Sequence, residues 1–325
     1  AEDVRRQRED AGGAPSDADT ARVARTPQVR EFVDAMWPAL DPREVLVRLW
    51  SDPEFLRRCA PELTDAERAA LARPAPRSVR TVRWTPPDAV LLDELAGLID
   101  GTATYVHVVV DEAQDLSAMQ CRAIARRCPV GSVTVLGDLA QATAPWALGS
   151  WARTLHHLGH DGAEVHPLTA GYRVPGEVLE VANRLLPHIA RDVPPATSVR
   201  GGLDALRFTA RSEFIDEVLR SLVQPGSVAV IVPDLELTPI VEELHAAGIA
   251  VDVEIAGGAE RVSVIAAAAA KGLEFDSVVL VEPAAVVAGA DNRVAGLRLL
   301  YVVLTRAVSR LAVVHDQPLP AELAA

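Results

Sequence analysis

The run Tyr105-Val106-His107-Val108-Val109-Val110 constrains this chain more than any other feature: it is apolar and largely β-branched, and it stops directly at Asp111-Glu112. A continuous run of this kind predicts a strand buried on both faces of a parallel sheet, because a strand with one wet face would alternate. Ser132-Val133-Thr134-Val135-Leu136 is a second such run, ending at Gly137-Asp138, and Met119 to Cys128 between them has helical character. Together they form a strand, helix, strand unit with polar residues at the strand carboxyl ends, where open α/β sheets bind ligands.

Beyond about residue 160 the alternation repeats. Strands are predicted at Ala205–Thr209, Val228–Val232, Ile249–Val253, Val262–Ile265, Val278–Val281 and Leu311–Val314, with helices near 176–190, 213–222, 237–246 and 296–309. The expected fold class is α/β, two parallel-sheet lobes with a cleft between them, the first lobe incomplete and preceded by a helical N-terminal segment. The predicted divisions are a polar linker over 1–27, a helical segment attached to the first lobe over 28–100, the first lobe over 101–160 and the second over 161–325. Within 28–72 the apolar positions Val29, Phe32, Val33, Met36, Val45, Leu46 and Leu49 fall at helical spacing, interrupted by Pro38, Pro42, Pro53 and Pro61, so short helices are expected.

Composition narrows the function classes. With 325 residues and 49% apolar content, the chain can bury real cores. No stretch approaches the roughly 18 apolar residues of a membrane span, and the N-terminus has no signal-peptide character, so the default compartment is the cytoplasm and no membrane partner is expected. Cys59, Cys121 and Cys128 have no metal-ligand spacing and read as buried reduced thiols. The net charge of −13, with Lys271 the sole lysine, argues against an extended grip on a nucleic-acid backbone, which calls for clustered positive charge.

A buried strand that delivers Asp111 and Glu112 into a cleft suits phosphoryl transfer: one carboxylate holds Mg²⁺ and the next orients or deprotonates a water. Val108–Asp115 resembles motif II, the Walker B segment, of the superfamily 1 UvrD/Rep helicases. Further segments resemble that family's motifs in order: Leu136–Gln141 motif III, Leu168–Arg173 motif IV, Lys271–Asp276 motif V and Leu300–Ala307 motif VI. The resemblance implies RecA-like lobes, ATP and Mg²⁺ as cofactors, and a set of roles for this chain's residues. Asp111 is the metal ligand, Glu112 the base, Gln141 the γ-phosphate sensor, and Arg173 and Arg306 the γ-phosphate arginines. Asp138, Lys271 and Gly272 line the nucleotide, and Glu274 touches its ribose. Arginines carried by a second lobe complete such a site only when the lobes close. Arg173 precedes a helix start at Pro175-Gly176-Glu177, and Arg306 is expected on a helix whose Leu297, Leu300, Tyr301 and Leu304 form an apolar stripe.

The departures from the family pattern matter as much. No Gly-x-x-x-x-Gly-Lys-Ser/Thr occurs, so the β- and γ-phosphates lack a cradle and the chain alone is expected to be inactive. The expectation is a C-terminal part of a longer protein whose N-terminal half carries motif I, with a degenerate ATPase as the rival. After Gln141 only Trp146 remains of the family's aromatic and basic residues, leaving it as a core residue or a nucleic-acid or partner contact, and Ala266–Ala270 replaces polar residues before motif V. About a hundred residues separate Arg173 from Lys271, too few for an inserted accessory subdomain. These features resemble the actinobacterial HelD-like branch, which implies RNA polymerase as the partner and polymerase remodelling or recycling as the work. The alternatives are a DNA-translocating helicase that unwinds 3'-5' and a non-catalytic binding module.

Overall fold

The computed structural model describes residues 6–7, 9–13, 16–201, 204–253 and 258–323, and these fall into two compact units, 1–104 and 105–325. The first unit is helical: α1 (Asp17–Ala24), α2 (Pro27–Met36), α3 (Pro42–Ser51), α4 (Pro53–Cys59), α5 (Asp65–Leu71) and α6 (Pro86–Asp100). Several of its prolines start helices, while Pro38 and Pro61 lie between them. Pro27, Pro42 and Pro53 each occupy a first turn, where the missing N–H costs nothing, and Asp41 and Asp52 cap α3 and α4 through the N–H groups of Arg43 and Phe55. Thr64 with Glu67 and Thr85 with Asp88 form capping boxes on α5 and α6. The core of this unit is small. Leu46, Trp50 and Leu56 are buried, Trp50 packs against Trp84 at 5.9 Å, and the Arg73 guanidinium lies 3.7 Å over the Trp50 ring while donating to buried Asp88. Burial opposes ionisation of Asp88, yet the donors Arg73 and Thr85 outweigh it and hold the carboxyl below its ordinary range.

The second unit contains a six-stranded sheet made of β5 (Leu206–Ala210), β6 (Val228–Val232), β7 (Val251–Val253), β8 (Val262–Ala266), β9 (Phe275–Val281) and β10 (Ala307–His315). The spatial order is β5-β10-β9-β6-β8-β7 and every described pairing is parallel. Alternate residues of the central strands feed two cores, as the two-residue period requires. Ile231, Ile265, Leu280 and Val313 face one, with α9 (Gly176–Asn183), α10 (Leu186–Ile189) and α14 (Arg293–Leu304). Val230, Val264, Val279 and Val314 face the other, with α11 (Phe214–Val223) and α12 (Leu237–Ala246). A parallel sheet covered on both faces is the α/β architecture expected from the sequence. Between β9 and α14 lies α13 (Pro283–Ala288).

Two smaller sheets complete the unit. β1 (Val108–Val110) pairs in parallel with β2 (Val133–Val135) across α7 (Ala118–Arg127), and β3 (Ala170–Gly171) pairs with β4 (Thr197–Ser198). After β2, α8 (Trp151–His157) packs with α7 over a core that includes Cys121, Leu148 and Leu158.

Several expectations are corrected. The strand read over 105–110 is three residues long, leaving Val106 outside it and 83% exposed, and it is not buried on both faces, since Val109 is 63% exposed while Val110 is buried. The helix expected over 296–309 ends at Leu304, where the Thr305 hydroxyl donates to the carbonyls of Tyr301 and Val302, and 307–315 is strand; Arg306 therefore follows the helix instead of riding on it. Cys59 is exposed, while Cys121 and Cys128 are buried. Part of the stretch read as a polar linker is the helix α1, while residues 1–5, 8, 14 and 15 of it lie outside the described residues.

Candidate functional site

At the carboxyl end of β1 the backbone turns sharply. Glu112 adopts a left-handed conformation, φ 53°, uncommon for a residue with a side chain, and its N–H donates to Asp111 Oδ1 at 2.8 Å. The turn aims the Glu112 carboxylate at Gln114, whose Nε2 donates to Glu112 Oε2 at 2.6 Å. Gln114 is buried and its own Oε1 accepts the Asp138 N–H at 3.0 Å, so one carboxamide ties the end of β1 to the end of β2. Gly137 makes room for it: a Cβ there would lie 2.4 Å from Gln114 Oε1.

From Asp138 the chain of contacts crosses to the six-stranded sheet. Asp138 Oδ1 accepts the Ala140 N–H and Oδ2 accepts Gln141 Nε2 at 2.9 Å, which leaves Gln141 Oε1 to accept Arg306 Nη2 at 2.9 Å. Arg306 is 3% exposed and fully held: Nε donates to Val302 O and Nη1 to Leu273 O. Its burial, and next the like charge of Arg173, lower its pKa. Tyr301 on α14 shows the same proximity from the other side, its phenol pKa pushed up by burial and by the Asp138 charge.

A second set of contacts joins the same segments. Lys271 Nζ donates to the Asp115 carboxylate, to Gln141 O at 2.6 Å and to Thr143 Oγ1 at 3.4 Å. Asp115 Oδ1 in turn accepts the N–H groups of Thr143 and Ala144, both at 3.1 Å. Arg298, on α14, donates to Ala142 O and Ile189 O. Trp146 is not core: its ring is half exposed, anchored by Nε1 donating to Asp115 O at 2.8 Å. Gly272 follows Lys271 with φ 78°, a turn that a side chain would strain. Arg173 is ion-paired with Glu274, each a little under half exposed.

The structure thus brings Glu112, Asp138, Gln141, Lys271 and Arg306 together, and places Arg173 and Glu274 against each other beside them. Lys271 meets a carboxylate and two further protein oxygens. Gln114, Asp115 and Arg298 complete the assembly. The first two stand inside the acidic segment, where their pairing with a distant backbone leaves no mark in the sequence, and Arg298 lies on a helix face with no motif around it.

The donor set suits magnesium bound with a nucleotide: Asp111 is exposed at a strand end with Oδ2 uncommitted among the described residues, and Mg²⁺ takes one or two carboxylates plus phosphates and water. The phosphate side is unlike this, since the sequence holds no glycine-rich loop ending in Lys-Ser or Lys-Thr.

No protein-family model and no curated protein matches the chain. Among solved structures, it is similar to the C-terminal domain of a possible DNA helicase from Lactobacillus plantarum WCFS1, with 23% identity and a TM-score of 0.36 over 47% of this chain and 92% of that one. It is also similar to arterivirus nonstructural protein 10, a helicase, in complex with DNA (17% identity, TM-score 0.37) and in a second structure (18%, 0.38), each over 66% of this chain. The chain spans 40% of the length of those arterivirus proteins. Likenesses of this size carry no argument about function.

Proposed function

We propose that this chain supplies the metal, water-positioning and arginine side of an ATPase centre of the superfamily 1 helicase type. Its work, in a protein that also carries a phosphate loop, is to remodel RNA polymerase complexes in the manner of the HelD-like branch. The observation that carries this reading is the pair of hydrogen-bonded links that run from Glu112 through Gln114 to the Asp138 backbone, and from the Asp138 carboxylate through Gln141 to Arg306. A base, a sensor and an arginine joined across two sheets form a device in which movement of either sheet reaches the other.

Each role is supported by the residue's setting. Asp111, with an uncommitted oxygen, would hold Mg²⁺. Glu112, oriented by Gln114, would align or deprotonate the attacking water. Gln141, now held by Arg306, would sense the γ-phosphate, and Arg306 and Arg173 would bring positive charge to the transition state. Glu274, now paired with Arg173, would contact the nucleotide's ribose. ATP with Mg²⁺ supplies the phosphoanhydride and the metal charge; every positioning contact named here belongs to the chain.

The polymerase assignment is supported by the acidity of the chain and by the stretch between Arg173 and Lys271, most of which is spent on β4 to β8 and the helices beside them. The half-exposed Trp146 favours a second reading, DNA translocation, since such a ring offers a stacking platform worth about 1–3 kcal/mol per base. The two are separated by experiment. In a protein joining this sequence to a phosphate loop, Glu112→Gln abolishes ATP hydrolysis and retains nucleotide binding; unchanged turnover would remove Glu112 from its role. The same protein co-purifies with RNA polymerase and separates no duplex, whereas robust unwinding without polymerase would overturn the polymerase reading.

A further inference from the structure

A polar cavity of about 330 Å³ opens at the amino-terminal ends of β5, β9 and β10, with Arg200, Arg310, Ser309, Asp276 and Gln224 among its lining residues. None of Glu112, Gln141 and Arg306 lines it, so it is separate from the site above. Two arginines line it in a chain of net charge −13. Arg200 is held from behind, Nη1 donating to Arg173 O at 3.2 Å and to Val308 O at 3.0 Å. The Arg310 side chain has no hydrogen bond or ion pair among the described residues, and Arg310, paired with Ser277, closes a register shift in the β9–β10 pairing that begins at Ala307. Such irregularities re-aim side chains. Across the cavity Asp276 is kept in place and ionised by Ser227, whose N–H and hydroxyl donate to Oδ2 at 2.8 and 3.0 Å.

Two arginines with free donors match a phosphoryl group, which guanidinium recognises in a forked geometry. A carboxylate and a carboxamide in the same lining match hydroxyl or amino donors, and the volume lies at the small end of the ligand-pocket range. We propose that this cavity binds a phosphorylated ligand of mononucleotide size, with its phosphate on Arg200 and Arg310 and its hydroxyl groups on Asp276. Because Arg200 also grips the Arg173 carbonyl, occupancy stiffens the segment that carries Arg173. That consequence rests on the catalytic role proposed for Arg173; the binding itself does not.

Calorimetric titration of the chain with AMP and with pyrophosphate tests the site, together with hydrogen exchange in the presence of AMP. AMP binds more tightly than pyrophosphate, Arg310→Ala weakens AMP binding by roughly tenfold or more with an unchanged melting profile, and exchange slows over 198–201 and 306–310. Asp276→Asn removes the preference for AMP. The proposal is overturned if neither probe binds, if Arg310→Ala leaves the affinity unchanged, if a single-stranded oligonucleotide binds here in preference to AMP, or if protection falls on 111–116. The last result would locate the ligand in the Glu112 cleft and leave the ATPase reading standing.

Discussion

Gln114 shows how much can depend on one buried carboxamide. Its Nε2 fixes the Glu112 carboxylate and its Oε1 takes the Asp138 N–H, so replacing it with leucine leaves a backbone donor unmatched as well as a carboxylate unaimed. Gln114→Leu is expected to cost about 1–3 kcal/mol of stability, read from the urea midpoint. Gly137→Ala tests the same contact from the other side. Its Cβ would fall 2.4 Å from Gln114 Oε1, and the resulting overpacking is expected to cost about 1–3 kcal/mol. A fall in stability from the glycine substitution without any loss of the Glu112 contact in a structure of the variant would show that the strain lies elsewhere.

At the scale of elements, α14 and the strand that follows it carry much of the packing of the second unit. Leu300 is fully buried between the sheet and its helices, so Leu300→Ala is expected to cost about 2–5 kcal/mol in a denaturant titration. The start of β9 adds a pH dependence. The Ser227 N–H, then the Ser227 hydroxyl, holds the Asp276 carboxyl below its ordinary range. A carboxylate depressed in the folded state contributes stability that is complete above the unfolded-state pKa and lost as pH falls through the folded one. Ser227→Ala therefore moves the acid-unfolding midpoint to higher pH, and an unmoved midpoint would show that the pair has no part in acid stability.

At the scale of the whole second unit, the contacts of Lys271 and Arg298 with 141–143 tie the segment after β2 to the segment after β8 and to α14. Lys271→Met removes the cation that Asp115 faces and is expected to speed hydrogen exchange at 111–116 and 141–144 while the core of the six-stranded sheet keeps its protection. Uniform loss of protection would instead mark Lys271 as part of the global core. Since Lys271 is the sole lysine, its amine-directed labelling in the folded and unfolded chain, read at the peptide that contains it, reports the same contact.

What the sequence determined by itself was the parallel α/β class of the second unit and most of its longer strands and helices; the short β3, β4, α8 and α13 were not read from it. Val228–Val232 and the helix over 237–246 have the bounds that periodicity predicts, because a strand buried on both faces and an amphipathic helix write their environment into a local pattern. The exposed side of β1 and the end of α14 before Arg306 were not legible. Exposure depends on which layers cover a strand, and the Thr305 hydroxyl closes the helix through bonds that helical spacing does not encode. Only the tertiary structure decided the partners of the site residues. Gln141 meets Arg306 across 165 residues and Lys271 meets Asp115 across 156, contacts set by how two sheets pack and carried by no spacing in the chain.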